Sequence, residues 1–268
     1  YISGTGAATQ MMTVATPEDA RRVVAYWADE GVDWFKVYTR VGQAELAAVI
    51  DEAHKREVKV TGHLCSISFT EAVALGIDNI EHGFFTNSDY VENKEQGVCP
   101  PGVRESLLDV DLKGEAVRET IRTMVESDVA MTSTLPVYEL SVPNRPPLED
   151  RVLEAMAPGA REEYLKTREE IANRDESPMS TLFPKAQAFE KAFYDAGGLL
   201  AAGVDPTGMG GALPGFGDQR NYELLLESGF TPEQVIQIMT LNGARVLGED
   251  ADLGSVEVGK RADLVVIA

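Results

Sequence analysis

DWFKVYTR, residues 33–40, sets one lysine among apolar neighbours: Trp34, Phe35, Val37 and Tyr38 surround Lys36. The short apolar run predicts a buried strand. A buried ammonium is costly unless it is paired or neutralised, so Lys36 needs a chemical reason to be there. The plainer alternative is a sheet-edge lysine whose amine reaches water.

The chain reads outward from this strand as alternating helices and strands, the pattern of a parallel α/β sheet. Before it, Thr16 can cap a helix opening at Pro17, with Glu18 and Asp19 in the first turn. Ala20, Val23, Val24 and Trp27 then recur at helical spacing, and Gly31 ends the helix. After it, Leu46, Val49, Ile50 and Ala53 mark a second helix, and Lys59 to Leu64 a strand. Thr70 to Leu75 predicts a short helix stopped by Gly76, and Asn79 to Phe84 a strand. Val117, Ile121, Met124 and Val125 mark a helix leading to a strand near Ala130 to Leu135. A polar, proline-containing excursion over about 141–180 has helical charge patterning and no strand of its own. A helix near Pro184 to Ala196 precedes an apolar strand at Gly198 to Val204, and Pro232 opens a last helix towards Asn242. About five βα units result, which wind into a barrel or a doubly wound sheet; either way the chemistry sits at the carboxyl ends of the strands.

Composition narrows the field. The 268 residues are 44% hydrophobic, enough for a substantial core, and the formal net charge is -20. Phosphate binding needs a basic face, so nucleic acid is not the expected partner. No apolar window is long enough to span a membrane. The cysteines, Cys65 and Cys99, form no CxxC, which excludes a thiolate zinc knuckle. They are read as two buried free thiols, with a disulfide as the open alternative.

The strand ends carry a pattern. Lys36 sits on the first strand named, His63 ends the second in TGHLC, His82 ends the third in IEHGF, and Asp205 follows the last in AAGVDPTG. The remaining histidine, His54, falls on a helix and reads as a surface residue. Singly, each strand-end residue has an ordinary reading: a hydrogen-bonded histidine, a turn-forming aspartate. Jointly they suit a metal centre, because neutral imidazoles and carboxylates bind zinc and similar divalent ions. Two metals about 3.5–4 Å apart need an anionic bridge. A desolvated lysine gives up its proton readily and can add carbon dioxide to become such a bridge.

FKVY (35–38), VTGHLCS (60–66), GIDNIEHGF (76–84) and AAGVDPTG (201–208) together resemble the amidohydrolase superfamily, in its imidazolonepropionase-like and prolidase-like branch. The carboxyl end is similar too: TPEQVIQIMTLNGARVLG (231–248), then LGSVEVGKRADLVVIA (253–268). The resemblance implies a (β/α)8 TIM barrel with a small β-sandwich. Residues 1–248 would supply later barrel strands with the helical insertion at about 141–180, and 249–268 the return into the sandwich. It implies Lys36 as a carboxylated bridging ligand, His63 and His82 on a second metal, and Asp205 on the first metal and shuttling the proton. Two divalent ions, zinc by default, would serve as cofactors, with a carbamate on Lys36. The family's first strand carries an HxH pair that this sequence lacks. YISGTGAATQ resembles the end of the third strand, so the expectation is that the HxH lies upstream.

The activity implied is hydrolysis of an amide, peptide or cyclic-amide C–N bond by a metal-bound hydroxide. The partner is a small-molecule amide or peptide; self-association into a homo-oligomer stays open. Tyr38, two residues past Lys36 on the same strand face, and Arg40 are candidate substrate contacts. So is Arg220 in the glycine-rich GMGGALPGFGDQRN (208–221), read as a loop over the mouth. For Arg220 a surface salt bridge is the alternative. Two rivals stand beside this reading. One is a Schiff-base lyase or aldolase using Lys36 as nucleophile; the other is a catalytically inactive partial barrel.

Overall fold

The computed structural model describes residues 1–6, 11–174, 176–206 and 210–264, which form two compact units. The first unit holds 1–132 and 188–198, the second 133–187 and 199–268.

In the first unit, β1 (Ile2–Ser3), β2 (Met12–Thr13), β3 (Trp34–Val37), β4 (Lys59–Gly62), β5 (Asn79–Glu81) and β6 (Ala130–Ser133) lie in the order β2-β1-β3-β4-β5-β6. Every recorded pairing is parallel. The connections are helices, as parallel strands require: α1 (Pro17–Asp29), α2 (Gln43–His54), α3 (Phe69–Leu75), α4 (Val103–Leu108) and α5 (Glu115–Glu126). Thr16 caps α1 through a hydrogen bond accepted from the Asp19 amide, as its sequence predicts. Ser68 and Glu71 close a capping box on α3, and Gly76 ends that helix in the left-handed region at φ 92°. The apolar faces of α1 and α2 pack together through Ala20, Val24, Leu46, Ile50 and Ala53, all buried. Phe69, Phe84, Phe189 and Phe193 are fully buried in the same unit. Each such side chain contributes about 1.5–3 kcal/mol by leaving water.

Strand alternation settles which β3 residues turn which way. Phe35 and Val37 are buried on one face, while Lys36 lies on the other. Register then lines Lys36 up with Thr61 on β4, and Thr61 with Asn79 on β5.

The second unit contains β7 (Leu200–Ala202) and the helices α6 (Leu135–Glu139), α7 (Asp150–Glu154), α8 (Pro158–Ala172), α10 (Phe216–Glu227), α11 (Pro232–Gln237) and α12 (Gly243–Leu247). Helix α9 (Met179–Asp195) starts here and ends in the first unit. Residues 141–180 are helical without a strand among those described, as read from the sequence. Leu140, Met156, Tyr164, Val204 and Ala212 form an apolar cluster.

Three expectations change. The glycine-rich stretch after Asp205 is not loop throughout: from Phe216 it is α10, which Gly215 opens with its amide donating to Asp218 Oδ2 at 2.8 Å. Helix α9 begins at Met179, so Pro184 lies inside it, not at its start. The cysteines are not free thiols: Cys65 and Cys99 form a disulfide, with Cα atoms 4.9 Å apart. The return into a sandwich at 249–268 shows no strand over 249–264, and residues 265–268 lie outside the described ones, as do Thr207 to Met209.

Candidate active site

Three of the four strand-end residues meet in the first unit. Lys36 is on β3, His63 follows β4, and His82 follows β5. The His63 and His82 rings stand 4.4 Å apart between centroids, edge to face. Tyr38 lies against His63, ring centroids 4.5 Å apart. Both imidazoles are held neutral. Burial lowers the His63 pKa to about 4, assisted by the positive charges of Lys36 and Arg104. Burial, then the neighbouring His63 and Lys36, pushes His82 well below its ordinary value. A neutral imidazole has a lone pair to donate, which is the state a metal ligand needs.

His82 is also held in the left-handed region at φ 67°, with its amide donating to the Thr132 carbonyl at 3.0 Å. Asp205, which follows β7 in the second unit, has φ 49°. Non-glycine residues seldom adopt this conformation, and such positions concentrate at functional sites.

Lys36 is half-buried, with its Nζ 3.9 Å from Oε1 of Glu81 and 5.6 Å from the centre of the Tyr1 ring. Glu81 is a residue that the sequence reading missed. Its oxygen accepts a hydrogen bond from Thr61 Oγ1 at 2.9 Å, and Thr61 in turn accepts one from Asn79 Nδ2 at 2.8 Å. Asn79 also donates to Thr132 Oγ1 at 3.0 Å. A polar layer therefore lies beneath the histidines. The signal was present in strand alternation, since Asn79 and Glu81, two residues apart, share a face.

His54 is where a surface residue belongs, at the end of α2, with Nε2 2.9 Å from Asp78 Oδ2. Arg40 is exposed and lines a groove of about 430 Å³ with Thr5, Gly97, Val98 and Cys99. Arg220, in the second unit, is engaged with carboxylates: it donates to both oxygens of the fully buried Glu139 and to Glu223 and Glu227. The bond to Glu139 above all raises its pKa.

As a metal site the cluster fits in part. It presents two neutral imidazoles side by side with a lysine next to them. Among the described residues, no three His, Cys, Asp or Glu side chains converge as a donor set.

The amidohydrolase family model matches residues 7–268. The chain belongs to the amidohydrolase family. A 58-residue segment is 38% identical to the imidazolonepropionase of Alkaliphilus metalliredigens (strain QYMF), covering 20% of this chain and 14% of that protein. A 37-residue segment is 46% identical to the S-triazine hydrolase of Gordonia rubripertincta, covering 14% of this chain and 8% of that protein. Among solved structures, the bottromycin amidohydrolase superposes with a TM-score of 0.70 at 18% identity, covering 94% of this chain and 56% of that one. A Xaa-Pro dipeptidase with methionine in its active site superposes with a TM-score of 0.59 at 19% identity, covering 96% and 56%. The chain thus spans little more than half the length of these structures. The parallel α/β fold is that of the family, as the strand-end motifs implied.

Proposed function

We propose that this chain belongs to a metal-dependent hydrolase that cleaves a C–N bond in an amide, peptide or cyclic amide. The observation that carries the proposal is the pair of neutral imidazoles, half-buried His63 and buried His82, at adjacent strand ends of an amidohydrolase-family chain. These rings would hold one divalent ion, zinc by default, with further donors from outside this cluster. When bound, such an ion acidifies water and polarises the substrate carbonyl.

The chain's own residues have the remaining tasks. Asp205 would accept a proton from the attacking water and deliver it to the leaving nitrogen. Tyr38, beside His63, would contact the substrate next to the scissile bond. Lys36, once carboxylated, would be an anionic ligand between two cations. That role sets a condition, because it replaces a cation beside Glu81 with an anion. Like charges at this distance repel, so the carbamate needs positive charge between the two groups. A dipeptidase of the prolidase kind is the specificity proposed; the likeness to a methionine-bound Xaa-Pro dipeptidase supports it.

The test is elemental analysis of the full-length polypeptide purified without chelator, together with hydrolysis of a panel of dipeptides and cyclic amides. Bound divalent metal, and hydrolysis that chelator abolishes and zinc restores, are expected. Absence of metal and of hydrolysis, even with zinc and bicarbonate supplied, would overturn the reading.

A further inference from the structure

The Cys65–Cys99 bond ties a firmly held segment to a loosely held one. On the Cys65 side, the residues past β4 are pinned to those past β3. The Ser66 amide donates to the Thr39 carbonyl at 3.0 Å, and Ser66 Oγ to the Val41 carbonyl at 2.6 Å. Leu64, Cys65, Ser66 and Ile67 are all buried.

The Cys99 side is different. Residues 95–102, EQGVCPPG, include no buried residue. Among the described residues, the amides of this segment make one backbone hydrogen bond, and it is local, from Val98 to the Glu95 carbonyl at 3.3 Å. Its polar ties to the rest of the unit are the disulfide and an exposed hydrogen bond from Gln96 to Gln43. Just before it, Lys94 is fixed to Glu71 at 2.7 Å. Gly97 at φ 73° and Gly102 at φ 83° flank Cys99 and can absorb a change of direction. Segments with so few buried contacts and backbone bonds open first.

The bridge can be reached from one side. Cys99 is half-buried and lines the groove of about 430 Å³ with Thr5, Arg40, Gly97 and Val98; Cys65 does not line it. The groove borders the histidine site, because Arg40 lies two residues past Tyr38, whose ring touches His63. Arg40 also brings a positive charge, which draws an anionic thiolate.

We infer that Cys65–Cys99 is a redox latch, opened through this groove by a dithiol reductant, and that opening releases 95–102 and widens the way in beside His63. One thiolate of the reductant attacks Cys99 Sγ, the bond to Cys65 breaks, and Cys65 leaves as a thiolate that takes up a proton. The second thiol of the reductant loses its proton and displaces Cys99 from the mixed disulfide. Two electrons pass to the protein, and the reductant becomes a disulfide. The histidines stay in place, since the His63 amide is held by the Val37 carbonyl and the His82 amide by the Thr132 carbonyl, each at 3.0 Å. The latch itself does not depend on the hydrolase reading above; its effect on turnover does.

The test takes the metal-free full-length protein, without denaturant, before and after treatment with dithiothreitol. Alkylation should add two carbamidomethyl groups to the treated protein and none to the untreated. Hydrogen exchange read by mass spectrometry should speed up at least about 10-fold in 95–102. Exchange in 63–67 and in α1 and α2 should not change. Cys99→Ser should exchange like the treated wild type and ignore dithiothreitol. Zinc-loaded Cys99→Ser should bind as much zinc as the wild type. Its KM for benzyloxycarbonyl-glycyl-proline should be about 3- to 10-fold lower, with kcat kept. A bridge that resists dithiothreitol until the chain unfolds would overturn the inference, and so would faster exchange spread over the whole unit, which marks a structural staple. An unaltered KM for the bulky substrate would overturn the widening. Failure of the hydrolase reading looks different: exchange in 95–102 responds as expected, yet no amide is hydrolysed with any metal.

Discussion

Glu139 in the second unit and Lys36 in the first are both charged groups taken largely out of water, yet their surroundings differ in kind. Glu139 is fully buried and receives three charge-assisted bonds, at 2.7 Å from Arg145 and at 2.7 and 2.9 Å from Arg220. Those arginines reach on to Glu223 and Glu227. The charges there answer one another. Lys36 has its nearest recorded carboxylate at 3.9 Å, too far for a hydrogen bond. Around it stand two imidazoles kept neutral by burial. The first arrangement is closed and suits structure. The second sets a loosely held positive charge beside neutral imidazoles, which is how a site that awaits metal and substrate is built.

If that distinction is right, the two regions break differently. Arg220→Met leaves Glu139 with half of its partners, and stability should fall by about 3 kcal/mol. Denaturant unfolding of the variant against the wild type checks this, and zinc uptake should be unaffected. The converse is His82→Asn, which keeps a residue tolerant of the left-handed backbone. Here bound metal and hydrolysis should drop about 100-fold. Stability should move by no more than about 1 kcal/mol. Elemental analysis and unfolding of the same sample decide it. A large stability loss in the histidine variant would make that cluster structural after all.

Acid should also separate the regions. An unfolded histidine titrates near 6.5, while folded His63 titrates near 4 and burial holds His82 well below its ordinary value. Below pH 6.5 the unfolded chain therefore binds protons that the folded one refuses. The resulting stability is complete above 6.5 and is lost as the pH falls from 6.5 towards 4. Urea unfolding of metal-free protein between pH 7.5 and 5 should show this slope before ordinary carboxylates titrate. His63→Gln should flatten it; an unchanged slope would mean that the folded ring charges normally.

Much of this was legible in the sequence because parallel strands under helices have a plain signature. β3, β4, β5 and β6 sit where the apolar runs predicted them, and Thr16 and Gly76 end their helices as expected. Lys36, His63 and His82 were legible as a cluster, because consecutive parallel strands place their carboxyl ends side by side. What stayed hidden depends on contacts that spacing does not encode. The Cys65–Cys99 bond joins residues 34 apart. Glu81 meets Lys36 only through the registers of β3, β4 and β5. Arg104 comes near His63 on a helix that no strong periodicity announced. Glycine density misled as well: 208–221 reads as loop, yet Phe216 already begins α10.

The finest point of the comparison lies in Thr61, the hinge of the polar layer. Its hydroxyl has one proton and gives it to Glu81, while it accepts from Asn79. Thr61→Val keeps the volume and β-branched shape but removes both bonds. Asn79 retains Thr132 as a partner, so the loss falls mainly on Glu81. A typical intramolecular hydrogen bond is worth about 1 kcal/mol net, and that is the stability change expected. Thr61→Ser, which keeps the hydroxyl, should recover most of it. The response of the lysine is more informative than the stability. Without Thr61 to hold it, Glu81 can turn further towards Lys36 and shorten the 3.9 Å gap to a direct bond. Lys36 would then be as closed as Glu139, and metal uptake should fall although no proposed ligand has changed. If uptake stays the same in Thr61→Val, the polar layer merely supports the sheet, and the openness of the lysine is set elsewhere.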